Sequence, residues 1–552
     1  MIRTNVWPLV PLQPALDKAA QDPYVRDNQL GSCHVYFMAM KPSTELFDLI
    51  RSLTKSEKRF FKLHSTLQSG TKNYMRIFDA IDRQHVYDED ALRRQFEGEN
   101  FVKHLPSEKN HLYKLVLKSL RAFHAEATVS GTLKIASKNI EILFAKALYE
   151  EASRTLQRAK RVAKENEKFY YWYELLNQEK QLLEEDYASG RFSRDLEDLV
   201  AEEREVLAKL GNLAEYHVLY SRINFVFRSG GHARTDEERA MVEAISEHPL
   251  IKGKNTALSH RAATICYYTQ GFCQWAAGDT ERSLEKFLRV KKILDDHPHL
   301  RADLPKRYVR ALEYIIRCRV ELGAFKEARD TIRLMRQSAI QDGFRGIDIA
   351  VQVFHASYLG ELRMLDRMGE HMKAVALTTD ILHGIEEHGA RLHKEQLLEF
   401  WSGLAIAHFG AGQVNKALFW LNKVLNDPEP QLRQDLFIHA RLFNLLVHLE
   451  LGNHDLLEYI LRSTKRFLNK KHRAYEVERL LMEEIRKMTR DKRGGAAREH
   501  AVALRDGLAK LVKDPNAATV LKYFDYLAWA ESRVRGVPFS DVVREKARPS
   551  TA

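Results

Sequence analysis

Three histidines at intervals of five, His383, His388 and His393, are the nearest approach in these 552 residues to a set of metal ligands. Zinc needs side chains that converge on one point, and a helix rotates residues five apart by about 140°. The three cannot aim at one ion, and the helix-borne HExxH pattern is absent. His297-Pro298-His299 sits in a proline-broken stretch, and no metal is expected at either place. The Gly253-Lys254 pair in IKGKNT is followed by Asn255 where a phosphate-cradling loop needs a hydroxyl, and no glycine stands at the required upstream position; SGTKNY fails in the same way. There is no G-x-S-x-G elbow, and none of Cys33, Cys266, Cys273 and Cys318 has a catalytic setting. Paired carboxylates such as Glu184 and Glu185 belong to charged helix faces. The expectation is a protein without catalytic residues, metal or cofactor.

Four scattered cysteines cannot form a disulfide framework, which points to a reducing compartment, and a cytoplasmic location is expected. Cys266 and Cys273 read as small core residues on one helical face. No run of about twenty apolar residues exists, so no membrane-spanning helix is expected. NVWPLVPLQPAL near the start is broken by three prolines and lacks the pattern of a secretory signal. Amphipathic patterning begins at KPSTELFDLI, so residues 1–40 read as a disordered tail or a start site called too early.

The net charge of +12 is unevenly spread. Residues 41–125 carry +5, 126–461 carry −3, and 462–513 carry +9. The excess lies in the ends, chiefly in RSTKRFLNKKHR and IRKMTRDKRGGAAR. Such runs commonly keep a helix solvated; the alternative is a phosphate-tracking surface, with Lys465, Arg466, Lys470 and Lys471 as the contacts.

What would position any such residues is a set of helices. Glycine (26) and proline (14) are sparse, and Leu, Ala, Glu, Lys and Arg dominate. WSGLAIAHFGAGQVNKALFWLNKVLNDPEP shows small residues fixed within an apolar pattern. Trp401, Leu404, Ala405 and His408 share one side of a first helix, Gly412 makes the turn, and Ala417, Leu421 and Val424 face back from a second. This resembles the tetratricopeptide repeat, W-x2-L-G-x2-Y then A-x3-F then P, with Ala405, His408 and Leu421 in the places of Gly, Tyr and Phe. Other segments align on the same turn: Tyr267, Gly271, Gly278, Ser283 and Phe287; Leu312, Gly323, Ala328 and Ile332; Tyr358, Leu362, Gly369 and Ala374; Gly452 and Leu457. FAKALYEEASRTLQRAKRVA offers Ala152, Leu156 and Ala159 without a turn glycine. Ser283, Ala328, Ala374, Ala417 and Leu457 recur every 40 to 46 residues, longer than the usual repeat, so longer helices or larger loops are expected. The resemblance implies an all-α, right-handed α-solenoid of stacked antiparallel helix hairpins, spanning 126–470.

At 41–125 a small helical module is expected, opened by the capping box Thr54-Lys55-Ser56-Glu57. It reads as an N-terminal cap on the array, with DNA reading as the second option. Residues 471–552 read as a basic helical segment with a linker at DKRGGAAREH and C-terminal capping helices, built around Tyr523, Phe524, Tyr526, Leu527 and Trp529. Phe169 to Tyr173 are five aromatics in succession, which a helix must display all round its axis. Either the helix is buried between neighbours with Trp172 as the anchor, or Tyr170, Tyr171 and Tyr173 grip a peptide. The expected function is a protein-binding scaffold or adaptor with Arg, Tyr and His donors on a concave face, and Tyr267 and Tyr358 as further partner contacts. The alternative is a nucleic-acid-associated regulator whose basic ends touch phosphate. The partner and the oligomeric state are left open by the sequence.

Overall fold

The structure is a computed structural model of the chain. It describes residues 43–66, 72–188, 190, 195–228, 233, 235–341, 343–430, 432–470, 475–490, 496–511 and 520–548. Residues 1–40 and the head of DKRGGAAREH lie outside these. Every regular element among the described residues is a helix, and none is long and apolar enough to cross a membrane. The chain divides into two compact units, Met1–His124 and Ala125–Ala552.

The first unit holds α1 (Glu45–Ser52), α2 (Lys55–Thr66), α3 (Lys72–Arg83), α4 (Glu89–Gln95) and α5 (Leu105–Phe123). Thr54 and Glu57 cap α2 reciprocally: the Thr54 N–H donates to Glu57 Oε2 at 2.6 Å, and the Glu57 N–H to Thr54 Oγ1 at 3.2 Å. One core, with Ile50, Phe61, Phe78, Leu112 and Val116 at its centre, joins α1, α2, α3 and α5.

The second unit begins with α6 (Val129–Ala145), α7 (Tyr149–Glu165), α8 (Phe169–Ala188), α9 (Leu196–Arg228), α10 (Asp236–Ser246) and α11 (Pro249–Lys252). It continues through α12 (His260–Ala276), α13 (Thr280–Asp296), α14 (Pro298–Asp303), α15 (Pro305–Glu321), α16 (Phe325–Ser338) and α17 (Ile347–Arg367). Then come α18 (His371–Ala376), α19 (Thr378–His388), α20 (Lys394–Gly410), α21 (Val414–Leu425), α22 (Gln434–Glu450) and α23 (His454–Lys470). The unit ends in α24 (Glu476–Arg490), α25 (Ala496–Leu511), α26 (Tyr526–Arg535) and α27 (Phe539–Ala547). Helices pack on their neighbours in sequence: α12 on α13, α13 on α15, α15 on α16 and α17, α17 on α20, α20 on α21 and α22.

One turn is used repeatedly. Gly278, Gly323, Gly369, Gly412 and Gly452 all have φ between 69° and 85°. After each, the next N–H donates back to the carbonyl five residues earlier: Asp279 to Gln274, Ala324 to Arg319, Glu370 to Leu365, Gln413 to His408 and Asn453 to His448, at 2.8–3.0 Å. This is the glycine-dependent Schellman closure of a helix. Five residues beyond each glycine lie Ser283, Ala328, Ala374, Ala417 and Leu457, every one of them 0 % exposed. The long spacing has two causes: α12, α13, α15 and α20 run to 17 residues and α17 to 21, and α14 is inserted between two of the pairs.

The α6–α7 turn has the same closure with an alanine. Ala147 has φ 57°, the Leu148 N–H donates to the Leu143 carbonyl at 3.0 Å, and Ala152 is buried five residues on. The aromatic C-terminal segment packs into the core of α20 and α22, where the Trp529 Nε1–H donates to Glu450 Oε1 at 2.8 Å. It also reaches back to α17: a Cβ on Gly369 would lie 2.6 Å from the Ser540 carbonyl oxygen and 2.7 Å from the Arg544 nitrogen.

A Cβ on Gly412 meets nothing within 4 Å, so Gly412→Ala costs backbone strain alone, about 1 kcal/mol. Ala147→Gly gains about as much. Hydrogen exchange of the α20–α21 amides should quicken in the first variant, and that of the α6–α7 amides should slow in the second. Unchanged exchange in both contradicts this account of the turns.

Candidate functional site

The aromatic run divides around α8. Phe169 and Trp172 are buried, Tyr171 and Tyr173 are half-buried, and Tyr170 is exposed. Trp172 is held by its Nε1–H, which donates to Glu202 Oε1 at 2.7 Å. The same carboxylate lies 3.1 Å from the buried ammonium of Lys160, which also meets Glu179 of α8. Tyr267 is half-buried beneath Arg289 of α13, 5.5 Å from its ring centroid, and Tyr358 beneath Arg336 of α16 at 4.6 Å. Lys465, Arg466 and Lys470 are exposed on α23, opposite its buried Leu457, Leu461, Thr464 and Leu468; Lys471 lies outside the described residues. In the first unit the basic face of α2 is partly spent, Lys58 on Asp82 and Lys62 on Asp79. Among the described residues no group of three His, Cys, Asp or Glu side chains could hold a metal ion.

A different set of residues comes together on one face of the second unit. Along α15, Arg307, Arg310, Tyr314, Arg317 and Glu321 recur every three or four residues and so form one stripe, beside a buried face that includes Tyr308, Leu312 and Ile315. Arg307 Nη1 donates to Thr264 Oγ1 of α12 at 2.8 Å, and its own carbonyl accepts from the Tyr268 hydroxyl at 2.9 Å. Arg310 Nη1 donates to the Tyr220 hydroxyl of α9 at 2.6 Å. Arg317 makes no hydrogen bond or ion pair with any described residue, and its guanidinium lies 5.7 Å from the Trp275 ring. The ends of the stripe are tied by ion pairs: Arg261 and Lys168 share Asp303, and Lys522 meets Glu321 at 2.8 Å.

Beyond Arg317 the face continues onto α17, α20 and α22 through Glu399. Arg433, the residue before α22, donates from Nη1 to Glu399 Oε1 at 2.8 Å, and Arg363 Nη2 of α17 lies 3.5 Å from that same oxygen. His355 Nε2 is 3.0 Å from Oε2. Arg433 spends its other side on Asp435 as a two-pronged pair, Nε to Oδ1 at 3.0 Å and Nη2 to Oδ2 at 2.8 Å. The Tyr523 hydroxyl also donates to Asp435 Oδ2. His439 stacks on Tyr523 with centroids 5.2 Å apart, and burial pushes its imidazole down to about 3, so it is neutral at physiological pH.

The charges here feel both protein and solvent. Arg310 is exposed and Arg317 and Arg363 are half-buried, yet burial is the largest influence on each. These side chains are reached by water yet crowded by protein. Burial, with repulsion from Arg317 and Arg433, pushes Arg363 down to about 10. Burial, with repulsion from Arg261 and Arg310, takes Arg307 to about 10 as well. Burial alone would raise Glu399, but Arg433, His355 and Arg363 hold it well below the usual carboxylate range. Six cations, Arg307, Arg310, Arg317, Arg363, Arg433 and Lys522, face four carboxylates, Glu313, Glu321, Glu399 and Asp435. The face therefore attracts anions, and its tyrosine rings and guanidinium planes suit an extended chain.

The α15 stripe leaves a signal in the sequence, a second, polar periodicity within an amphipathic helix, which the repeat pattern alone does not bring out. Arg363, Glu399, Arg433 and Tyr523 come from four distant segments and leave no local signal. Among known proteins, no family model matches the chain and no curated protein is similar to it.

Two expectations follow. Lys160→Met removes the buried ammonium shared by Glu179 and Glu202, although Lys164 stays 2.7 Å from Glu202, and destabilises the protein by about 3 kcal/mol, seen as lost hydrogen-exchange protection in α7–α9; full protection contradicts the buried network. Glu399 has a lowered pKa when folded, so its contribution is present above the ordinary value of 4.5 and is lost as pH falls through the folded value. Acid unfolding followed by circular dichroism should begin less steeply in Glu399→Gln, which starts less stable at neutral pH. An identical acid limb in both contradicts the assignment.

Proposed function

We propose that this chain is a non-enzymatic scaffold or adaptor that holds an acidic, extended segment of a partner polypeptide on the arginine-rich face of its second unit. In this reading the helix pairs of residues 126–470 stack as a right-handed, tetratricopeptide-like solenoid, with a helical cap at its C-terminal end, and the face is its concave side. The observation that carries the proposal is Arg307, Arg310 and Arg317 in one stripe with no carboxylate in ion-pair contact among the described residues. From Arg307 to Arg317 the helix rises about 15 Å, the length of about five residues of extended chain. The acidic side chains of such a segment would meet planar donors that pair carboxylates two-pronged. The three described cysteines are buried free thiols, in keeping with a reducing, cytoplasmic setting.

A second reading rests on Lys465, Arg466 and Lys470, exposed together on α23: a nucleic-acid-associated regulator whose basic segment tracks phosphate. The two readings separate in one experiment. Fluorescence anisotropy of a labelled glutamate-rich peptide should report binding that weakens with salt and falls at least about tenfold in a variant with Arg307, Arg310 and Arg317 changed to Gln. Changing Lys465, Arg466 and Lys470 to Gln should leave it unaltered. Binding of duplex DNA that only the second variant loses would favour the nucleic-acid reading instead.

A further inference from the structure

We infer that Arg317 of α15 and Arg363 of the adjoining α17, the latter held by Arg433 and Glu399, form a seat for a phosphate monoester borne by the partner segment. The inference rests on the reading of this face as a peptide-holding surface and names the group that its inner end selects.

The donors are unequally spent. Arg433 is engaged through all three of its nitrogens, with Glu399 on one edge and Asp435 on the other. Arg363 has one long contact, 3.5 Å to an oxygen that Arg433 already holds at 2.8 Å. Those two nitrogens share one acceptor, so their guanidiniums stand side by side. Arg317 has no hydrogen-bond or ion-pair acceptor among the described residues; the Trp275 ring lies 5.7 Å from its guanidinium, and Tyr314, Glu399, Glu313 and Tyr523 act on it without contact. One planar fork, Arg317, thus lacks an oxyanion in contact, and a second, Arg363, has only a long one, at a place where the protein has supplied one carboxylate of its own. Burial and repulsion from Arg317 and Arg433 lower Arg363, whereas at Arg317 burial is outweighed by attraction to Tyr314, Glu399 and Glu313.

Charge and geometry favour phosphate over a further carboxylate. The face carries six cations against four carboxylates, and its imidazole at His439 is neutral. A carboxylate brings one charge and two oxygens. A phosphate monoester brings about −1.5 to −2 at neutral pH and three acceptor oxygens, enough for the Arg317 and Arg363 forks together. Arg433 and Glu399 then fix the orientation of Arg363 rather than bind the ligand outright. No bond is made or broken: the group is held, not transferred.

The test uses the full chain and a fluorescein-labelled acidic decapeptide in three forms, with serine, glutamate or phosphoserine at its centre. Anisotropy should show the phosphoserine form binding about tenfold more tightly than the glutamate form. In Arg317→Gln the two should become equal. Arg317 makes no hydrogen bond or ion pair with the described residues, so that variant should fold, which its circular dichroism checks. Arg317→Lys, which keeps the charge and loses the fork, should retain part of the preference. Equal binding of the phosphoserine and glutamate forms to the unaltered chain overturns the phosphate seat and leaves the peptide reading standing. Failure of all three forms to bind overturns both. A preference that survives Arg317→Gln overturns the placement. Free O-phosphoserine binding as tightly as the decapeptide would assign the seat to a small metabolite and overturn its assignment to a partner segment.

Discussion

A single residue in the left-handed region, one step beyond the end of a helix, fixes the course of the second unit. Schellman closure turns the chain, and the residue five positions on is delivered to a place with no room for solvent. At Ser283, Ala328, Ala374 and Ala417 it is small, which lets two helices approach; at Leu457 the same place is filled by a larger side chain that is equally buried. The turn does not require glycine, only a backbone that tolerates positive φ, and Ala147 meets the requirement at a cost in strain. With the turns fixed, α15, α17, α20 and α22 follow one another across the core, and the side chains they turn to one side form one face although Arg307 and Arg433 are 126 residues apart in sequence.

The arginine face follows from that succession. Arg363, Arg433 and His355 meet at Glu399 because the helices that carry them pack in order. A single carboxylate among guanidiniums is held ionised by its neighbours, and removal of any one of them would leave a buried charge behind. The near-neutral middle of the chain hides this. Acidic and basic residues balance over 126–461, but the fold sorts them: Glu321, Asp303 and Asp435 are taken up in pairs while Arg310 and Arg317 stay without a carboxylate in contact.

What could be read in advance was what repeats locally. The turn glycines, the small positions after them and the capping box of α2 are written in a few adjacent residues, and the helices formed where those signals stood. Ala147 was not legible as a turn, since alanine carries no mark of positive φ; only the buried Ala152 hinted at it. The convergence on Glu399 was not legible either, because it depends on packing among segments far apart in sequence. One step along a helix decides which face a ring serves: Tyr268 touches Arg307 of the arginine stripe, while its neighbour Tyr267 lies under Arg289 of α13. Aromatic identity alone cannot separate the two, and the polar periodicity of α15 was the better guide.

The central claim, that the arginine face holds an acidic segment, is tested most directly by chemical footprinting of arginines with phenylglyoxal, with and without a saturating acidic peptide, mapped by mass spectrometry. The account predicts that the peptide protects Arg310, Arg317 and Arg363 and leaves the exposed Arg282 and Arg466 as reactive as before. Unchanged reactivity across the arginine face, or protection confined to Arg466 and its neighbours on α23, would contradict it.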